Sequence, residues 1–188
     1  MIEVELKARV ADPGVLLGEL RSRARGEPST YRDTYYDFPD GRLARAARQL
    51  LRLRVIESGS GDRCMWTFKG AMLDTSATPE LETEVSRADT AGAILAALGL
   101  RPVISYMKQC ENFTFDAYGR RVVATVVRVP ELDGTFVEVE AQVREVSEAP
   151  AAREAVRGVL AELDLDDADL EPQFYVDMVA ARRGDPPA

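Results

Sequence analysis

The chain has 188 residues, 46% of them hydrophobic and 30% charged, with a formal net charge of −8. That length suits one domain with a substantial core, and the acidic balance argues against attraction of the whole molecule to nucleic acid or an anionic membrane. Histidine is absent, which excludes His-based triads, His metal ligands and imidazole proton shuttles.

The first residues, Met1 to Arg9, alternate strictly: Glu3, Glu5, Lys7 and Arg9 against Ile2, Val4, Leu6 and Ala8. Side chains alternate faces along a strand, so this is a strand with one apolar and one ionised face. Asp12-Pro13 then starts a helix, Asp as N-cap and Pro in the first turn, running to about Arg25. Thr30 to Phe38 is aromatic and β-branched, hence strand. Arg42 to Gln49 reads as a helical turn leading into the strand Leu50 to Glu57, with Arg52 and Arg54 on one face. A Ser/Gly hairpin loop follows, and the strand Arg63 to Lys69 puts Arg63, Met65, Thr67 and Lys69 together. Glu80 to Val85 repeats the alternation with Glu80, Glu82 and Glu84. Asp89 is expected to cap a helix carrying Ile94, Leu95 and Leu98 and ended by Gly99.

Val103 to Phe115 and Arg121 to Val129 read as a hairpin, the first strand bearing Lys108, Cys110 and Asn112 on one face. Thr135 to Val143 is a strand presenting Glu138 and Glu140. A helix is expected from about Ala151 to Leu163 and a last one over Gln173 to Arg183. The organisation predicts a single domain over residues 1–183 with a frayed tail at 184–188. About eight strands, with helices only between strand groups, argue an antiparallel α+β domain closed into a β-barrel. The apolar faces need cover, and the helices can supply it from outside. The ionised faces then line the lumen. Concentrated like charge there is costly unless compensated, and carboxylates on one wall with bases on another suit Mg²⁺ or Mn²⁺ together with a polyphosphate. No apolar run is long enough to span a bilayer and no signal-peptide h-region opens the chain. Cys64 and Cys110 read as free thiols of a reducing compartment, so a cytoplasmic location is expected.

These segments resemble the CYTH domain, or triphosphate tunnel metalloenzymes, a family that groups class IV adenylyl cyclases, thiamine triphosphatases and inorganic tripolyphosphatases. The amino-terminal E-x-E-x-K stands as Glu3, Glu5 and Lys7, and the D-x-Y-Y-D segment as Asp33 to Asp37. L-R-x-R is Leu51 to Arg54, T-x-K-G is Thr67 to Gly70, and the acidic E-x-E is Glu82 and Glu84. G-T-F-x-E-x-E is Gly134 to Glu140, and a closing E-P-x-x-Y is Glu171, Pro172 and Tyr175. The resemblance implies an eight-stranded triphosphate tunnel. It implies Mg²⁺ (or Mn²⁺) held by Glu3, Glu5, Glu138 and Glu140, assisted by Glu82 or Glu84. Catalytic cations would be Lys7, Arg54 and Lys69, with Arg9, Arg52 and Lys108 on the phosphates, and Tyr36 and Tyr175 beside the substrate.

Three departures from the family pattern remove charge: Lys108-Gln109-Cys110 where K-x-R is usual, Val127 or Thr125 where an Asp is usual, and Ala77-Thr78-Pro79 in place of an Arg. Val123, Thr125, Val127 and Met65 are therefore expected to give the lumen an apolar strip. The expected function is Mg²⁺-dependent processing of a phosphoanhydride in a di- or triphosphorylated small molecule with an organic body. A class IV adenylyl cyclase making cyclic AMP and pyrophosphate, and a catalytically weakened nucleotide- or polyphosphate-binding module, are the alternatives. Neither nucleic acid nor membrane is expected as a partner, and the oligomeric state stays open, a homodimer included.

Overall fold

Strands with one ionised and one apolar face need two different environments, and here the sheet provides them by closing on itself. A computed structural model describes residues 1–184, without the side chains of residues 46 and 47. The strands are β1 (Ile2–Val10), β2 (Glu27–Asp37), β3 (Leu50–Ser58), β4 (Arg63–Lys69), β5 (Ala77–Val85), β6 (Arg101–Ala117), β7 (Arg120–Arg128) and β8 (Thr135–Val143). They form a closed antiparallel barrel in the order β1-β5-β4-β3-β2-β6-β7-β8. The helices are α1 (Pro13–Arg23), α2 (Arg42–Ala47), α3 (Ala88–Ala97), α4 (Ala149–Glu162) and α5 (Tyr175–Arg183). Among the described residues no helix is long and apolar enough to cross a membrane.

The core lies outside the barrel wall, between strands and helices. Ala152, Val156, Val159 and Leu160, at helical spacing along α4, pack with Leu16 and Leu20 of α1 on Val4, Ala8, Val122, Ala124, Val137 and Val139. Ala91 and Leu95 of α3 pack on Leu51 and Leu53 of β3. The third cluster is different. Tyr175, Val176 and Val179 of α5 pack on Tyr35, Tyr106, Val127 and Phe136, which closes much of one end of the barrel.

The seam between β1 and β5 is only partly closed by strand pairing. β1 pairs with β5 only from Ile2 to Val4. Beyond it, the Glu5 amide donates to the Ser76 carbonyl at 2.9 Å, and residues 169–171 take over as partner. Arg9 N–H donates to the Asp169 carbonyl and Glu171 N–H to the Lys7 carbonyl, each at 2.8 Å, around an Ala8–Leu170 bridge. Every edge amide of β1 thus needs a partner, and a loop supplies what β5 does not.

Several boundaries shift for local reasons. Asp12 caps α1 as expected, accepting from the Gly14 and Val15 amides at 2.9 and 3.1 Å. Asp89 does not cap α3: the N-cap is Arg87, and the Asp89 carboxylate receives the Arg87 guanidinium at 2.6 Å. Of the apolar residues read in this helix, Leu95 is buried with Ala91 against β3, while Ile94 and Leu98 are 49% and 63% exposed. Of the expected tail, only Gly184 is described, as the left-handed C-cap of α5; 185–188 lie outside the described residues.

Candidate active site

Register decides which charges meet. Glu5 lies directly opposite Glu140, and Lys7 opposite Glu138, on the antiparallel pair β1–β8. Like charges directly opposed on one face destabilise a sheet. The carboxylate oxygens of Glu3, Glu5 and Glu140 approach within 4.8 Å of one another. Burial first, then Glu138 and Glu3, push the Glu5 carboxyl up to about 7. Burial, with Glu3 and Glu5, pushes Glu140 well above the usual carboxylate range. Burial also raises Glu3, but the Lys69 ammonium beside it outweighs burial and holds it below its ordinary value.

The remaining charges sit in matched groups. Lys69 pairs with Glu3, with Glu80 at 3.4 Å and with Glu5 at 3.9 Å. Arg54 clasps Asp33 through two hydrogen bonds of 2.7 Å each. Arg52 donates to Thr67 Oγ1 at 3.2 Å and faces Glu82 at 3.7 Å, while its buried Nε has no partner among the described residues. Lys108 donates to both Glu138 oxygens at 3.2 Å. Lys7 donates to the Gln173 carbonyl. The Lys7 and Lys108 ammoniums lie 4.0 and 4.4 Å from the centroid of the Tyr175 ring, whose hydroxyl is buried. Burial pulls the Lys7 ammonium below its usual range against Glu138 and Glu5.

These groups line a cavity of about 440 Å³. Its inner part is ionised. Its mouth, between the β4–β5 loop and the segment leading into α5, carries Leu50, Met72, Leu170, Pro172 and Phe174 with Arg48 and Arg157.

Residues 1–175 match the sequence profile of the CYTH domain. The chain belongs to the CYTH family. Solved structures agree in fold: the PH1819 protein of Pyrococcus horikoshii is 28% identical with a TM-score of 0.83, covering 96% of this chain and 99% of that one. A candidate adenylate cyclase from Vibrio parahaemolyticus is 23% identical with a TM-score of 0.82, covering 96% and 98%. A candidate adenylyl cyclase from Hippeastrum with a dominant triphosphatase activity is 17% identical with a TM-score of 0.62, covering 98% and 97%. No functionally curated protein matches the chain.

Set against the CYTH pattern, the structure brings together Glu3, Glu5, Lys7, Arg52, Arg54, Lys69, Lys108, Glu138, Glu140 and Tyr175 around one cavity. Four of the expected residues fall elsewhere. Arg9 does not line the cavity: its guanidinium bonds Glu171 at 2.7 and 2.9 Å and lies 4.9 Å from the Phe136 centroid, pinning the 169–171 segment. Tyr36 points outward to α3, where a Cβ on Gly92 would stand 3.0 Å from its hydroxyl; the alternation of β2 gives the inward place to Tyr35. Glu84 pairs with Arg63 at 3.2 Å on an exposed rim. Glu82 accepts from Thr67 at 2.6 Å and faces Arg52, so it braces a cation and stands outside the three-carboxylate group. Glu138 too stands apart from that group, held by Lys108.

The expected apolar strip is also displaced. Val127 is fully buried with Cys110, Phe136 and Tyr175, and Thr125 hydrogen-bonds Asn112 at 3.1 Å; neither lines the cavity. The apolar surface open to a ligand is at the mouth. Sequence reading missed Glu80 beside Lys69, although period-two alternation already placed it with Glu82 and Glu84. It also missed Arg48, Met72 and Phe174, which lie in connections where no periodicity operates.

The donor set fits a divalent cation. Glu3, Glu5 and Glu140 offer hard oxygen ligands in one place, and the crowding that raises Glu5 and Glu140 is what a hard cation would relieve.

Proposed function

We propose that this protein is a divalent-metal-dependent enzyme that acts on the phosphoanhydride of an organic di- or triphosphate, by hydrolysis of the terminal bond. The observation that carries the reading is one cavity holding a three-carboxylate group and a ring of buried cations, with an apolar mouth beyond them. Glu3, Glu5 and Glu140 would hold Mg²⁺ or Mn²⁺. A metal bound there supplies Lewis-acid polarisation of phosphoryl oxygens.

The protein's own groups do the rest. Arg52, Arg54, Lys69 and Lys108 are held around the cavity by carboxylate, hydroxyl or both, which places cations in advance where phosphoryl charge would develop. The buried Arg52 Nε is a donor with no acceptor among the described residues. Lys7, with its ammonium weakened by burial, is placed to hold or release a proton near Glu138. The α5 cluster limits water at the closed end. Leu50, Met72 and Phe174 give the organic part of a substrate an apolar resting place.

The test is product analysis over ATP, thiamine triphosphate, tripolyphosphate and organic diphosphates with Mg²⁺ or Mn²⁺. Phosphate release from an organic substrate, lost in Glu5→Gln, is expected. Cyclic AMP with pyrophosphate as the main products from ATP would replace hydrolysis with cyclase chemistry. Binding of ATP without any product would leave only a binding module.

A further inference from the structure

One run of the sequence is not used up by the tunnel. Residues 41–56 contain five arginines, at 42, 45, 48, 52 and 54, and no acid, in a chain of net charge −8. Arg52 and Arg54 face the lumen. Arg42 and Arg45 are one helical turn apart on α2, and Arg48 caps that helix in the left-handed conformation, φ 52°, with its side chain at the cavity mouth. The run therefore leads from solvent to the phosphate-binding wall.

These arginines differ in how far acids quench them. Arg42 pairs with Asp40 at 3.1 Å and lies 4.1 Å from the Phe38 ring centroid. Arg48 is 72% exposed and meets Asp177 only at 3.8 Å. Arg45 is exposed and pairs with no carboxylate among the described residues.

We propose that α2 and its C-cap form an electropositive entry track, in which Arg45 and Arg48 capture the phosphate chain of an incoming anion and pass it to Arg52 and Arg54. The inference rests on the reading of the tunnel as a phosphate site. The field of an exposed charge reaches about 10 Å at 0.1 M salt, so only charges close to the mouth can steer. In a chain of net charge −8, a run of five arginines without an acid is a local excess of positive charge, and that contrast gives the track its effect. Steering acts on encounter, and so on the association rate and kcat/KM; it leaves the chemical step alone.

The experiment measures association of a fluorescent nucleoside triphosphate by stopped flow with Mg²⁺ present, across 20 to 500 mM NaCl, for the wild type, Arg45→Glu and Arg48→Gln. At low salt Arg45→Glu is expected to slow association about five-fold and Arg48→Gln about two-fold, both differences fading at the highest salt. Thermal unfolding of each variant reports whether α2 has been disturbed. A loss of equal size at every salt concentration, or no loss in Arg45→Glu, overturns the track. Because association is read directly, the two readings separate. Salt-dependent association without turnover supports the track while removing the enzyme. Turnover with salt-independent association does the reverse, and no association at all overturns both.

Discussion

Asp33→Asn tests whether the tunnel cations are held in place by their acids. Asp33 is 1% exposed and its two oxygens receive Arg54 at 2.7 Å each. Replacing the carboxylate by an amide keeps the shape but leaves a buried guanidinium near Arg52 and Lys108 with no counter-charge. Two unit charges about 4 Å apart interact by about 4 kcal/mol at the effective dielectric of such sites, and breaking a buried pair from one side costs about 3–5 kcal/mol. A loss of about 4 kcal/mol lowers Tm by about 8–16 °C in a chain of this size. The single tryptophan, Trp66, gives the fluorescence signal for urea unfolding. Burial alone would raise the Asp33 carboxyl, but the Arg54 guanidinium outweighs burial and holds it far below the usual carboxylate range. Its contribution is therefore complete above the unfolded value near pH 4 and drains away as pH falls toward the folded value. The gap between wild type and variant should be constant from pH 7 to 5 and narrow by about 1 kcal/mol by pH 3. Replacing both partners, as Asp33→Leu with Arg54→Met, should recover most of the loss. A variant within 1 kcal/mol of wild type at pH 7, or a gap that persists unchanged into acid, would refute the reasoning.

Three further outcomes are expected. Glu5, pushed up to about 7 by burial and by Glu138 and Glu3, has a folded value above its unfolded one. The metal-free protein should therefore lose about 3 kcal/mol of stability between pH 5 and 8, and Glu5→Gln or added Mg²⁺ should flatten that slope in urea titrations; a wild-type profile already flat in EDTA would contradict it. Burial, only partly offset by Lys108, pushes the Cys110 thiol up to about 12, so with Cys64→Ser as background its modification by a disulfide reagent at pH 8 should be on the order of 10³-fold slower folded than unfolded; comparable rates would mean the thiol is not shielded. A Cβ on Gly26 would lie 2.9 Å from Cε1 of the fully buried Phe113 and collide with Glu111, so Gly26→Ala should cost about 1–3 kcal/mol, and a neutral result in the same urea assay would show that the α1–β2 connection can yield.

The barrel was legible because alternation is a property of neighbouring residues. Glu3, Glu5 and Lys7 announce an inward face whatever the partner strand is, and Arg52, Lys69 and Glu138 do the same. What alternation cannot give is register, and register decided the site. Nothing local tells Glu138 that it will meet Lys108 across the lumen while Glu140 meets Glu5. Tyr36 was misplaced by the same gap, since a Tyr-Tyr pair puts one ring on each face and phase alone separates them. The mouth was invisible for another reason: Arg48, Met72 and Phe174 belong to connections, whose course is fixed by contacts distant in sequence, such as the Lys7 bond to the Gln173 carbonyl.

The charge gradient along the approach follows from those placements. At the surface, Arg45 and Arg48 are unquenched or nearly so. Inside, Lys7, Arg52, Arg54, Lys69 and Lys108 are outnumbered by Glu3, Glu5, Asp33, Glu80, Glu82, Glu138 and Glu140, and the unmatched acids are Glu5 and Glu140. A bare polyanion drawn in by the arginines would find Glu5 and Glu140 pushed toward their neutral acids and the lysines still bound to carboxylates of their own. To reach Lys69 or Lys108 it would have to displace Glu3, Glu80 or Glu138, leaving buried carboxylates uncompensated at several kcal/mol each. A divalent cation held by Glu3, Glu5 and Glu140 would lower that barrier, because it would replace Lys69 as the counter-charge of Glu3 and Glu5. On the proposed function, a polyanion would therefore enter after the cation or complexed with it, and the carboxylate group would be a condition for binding as well as for chemistry.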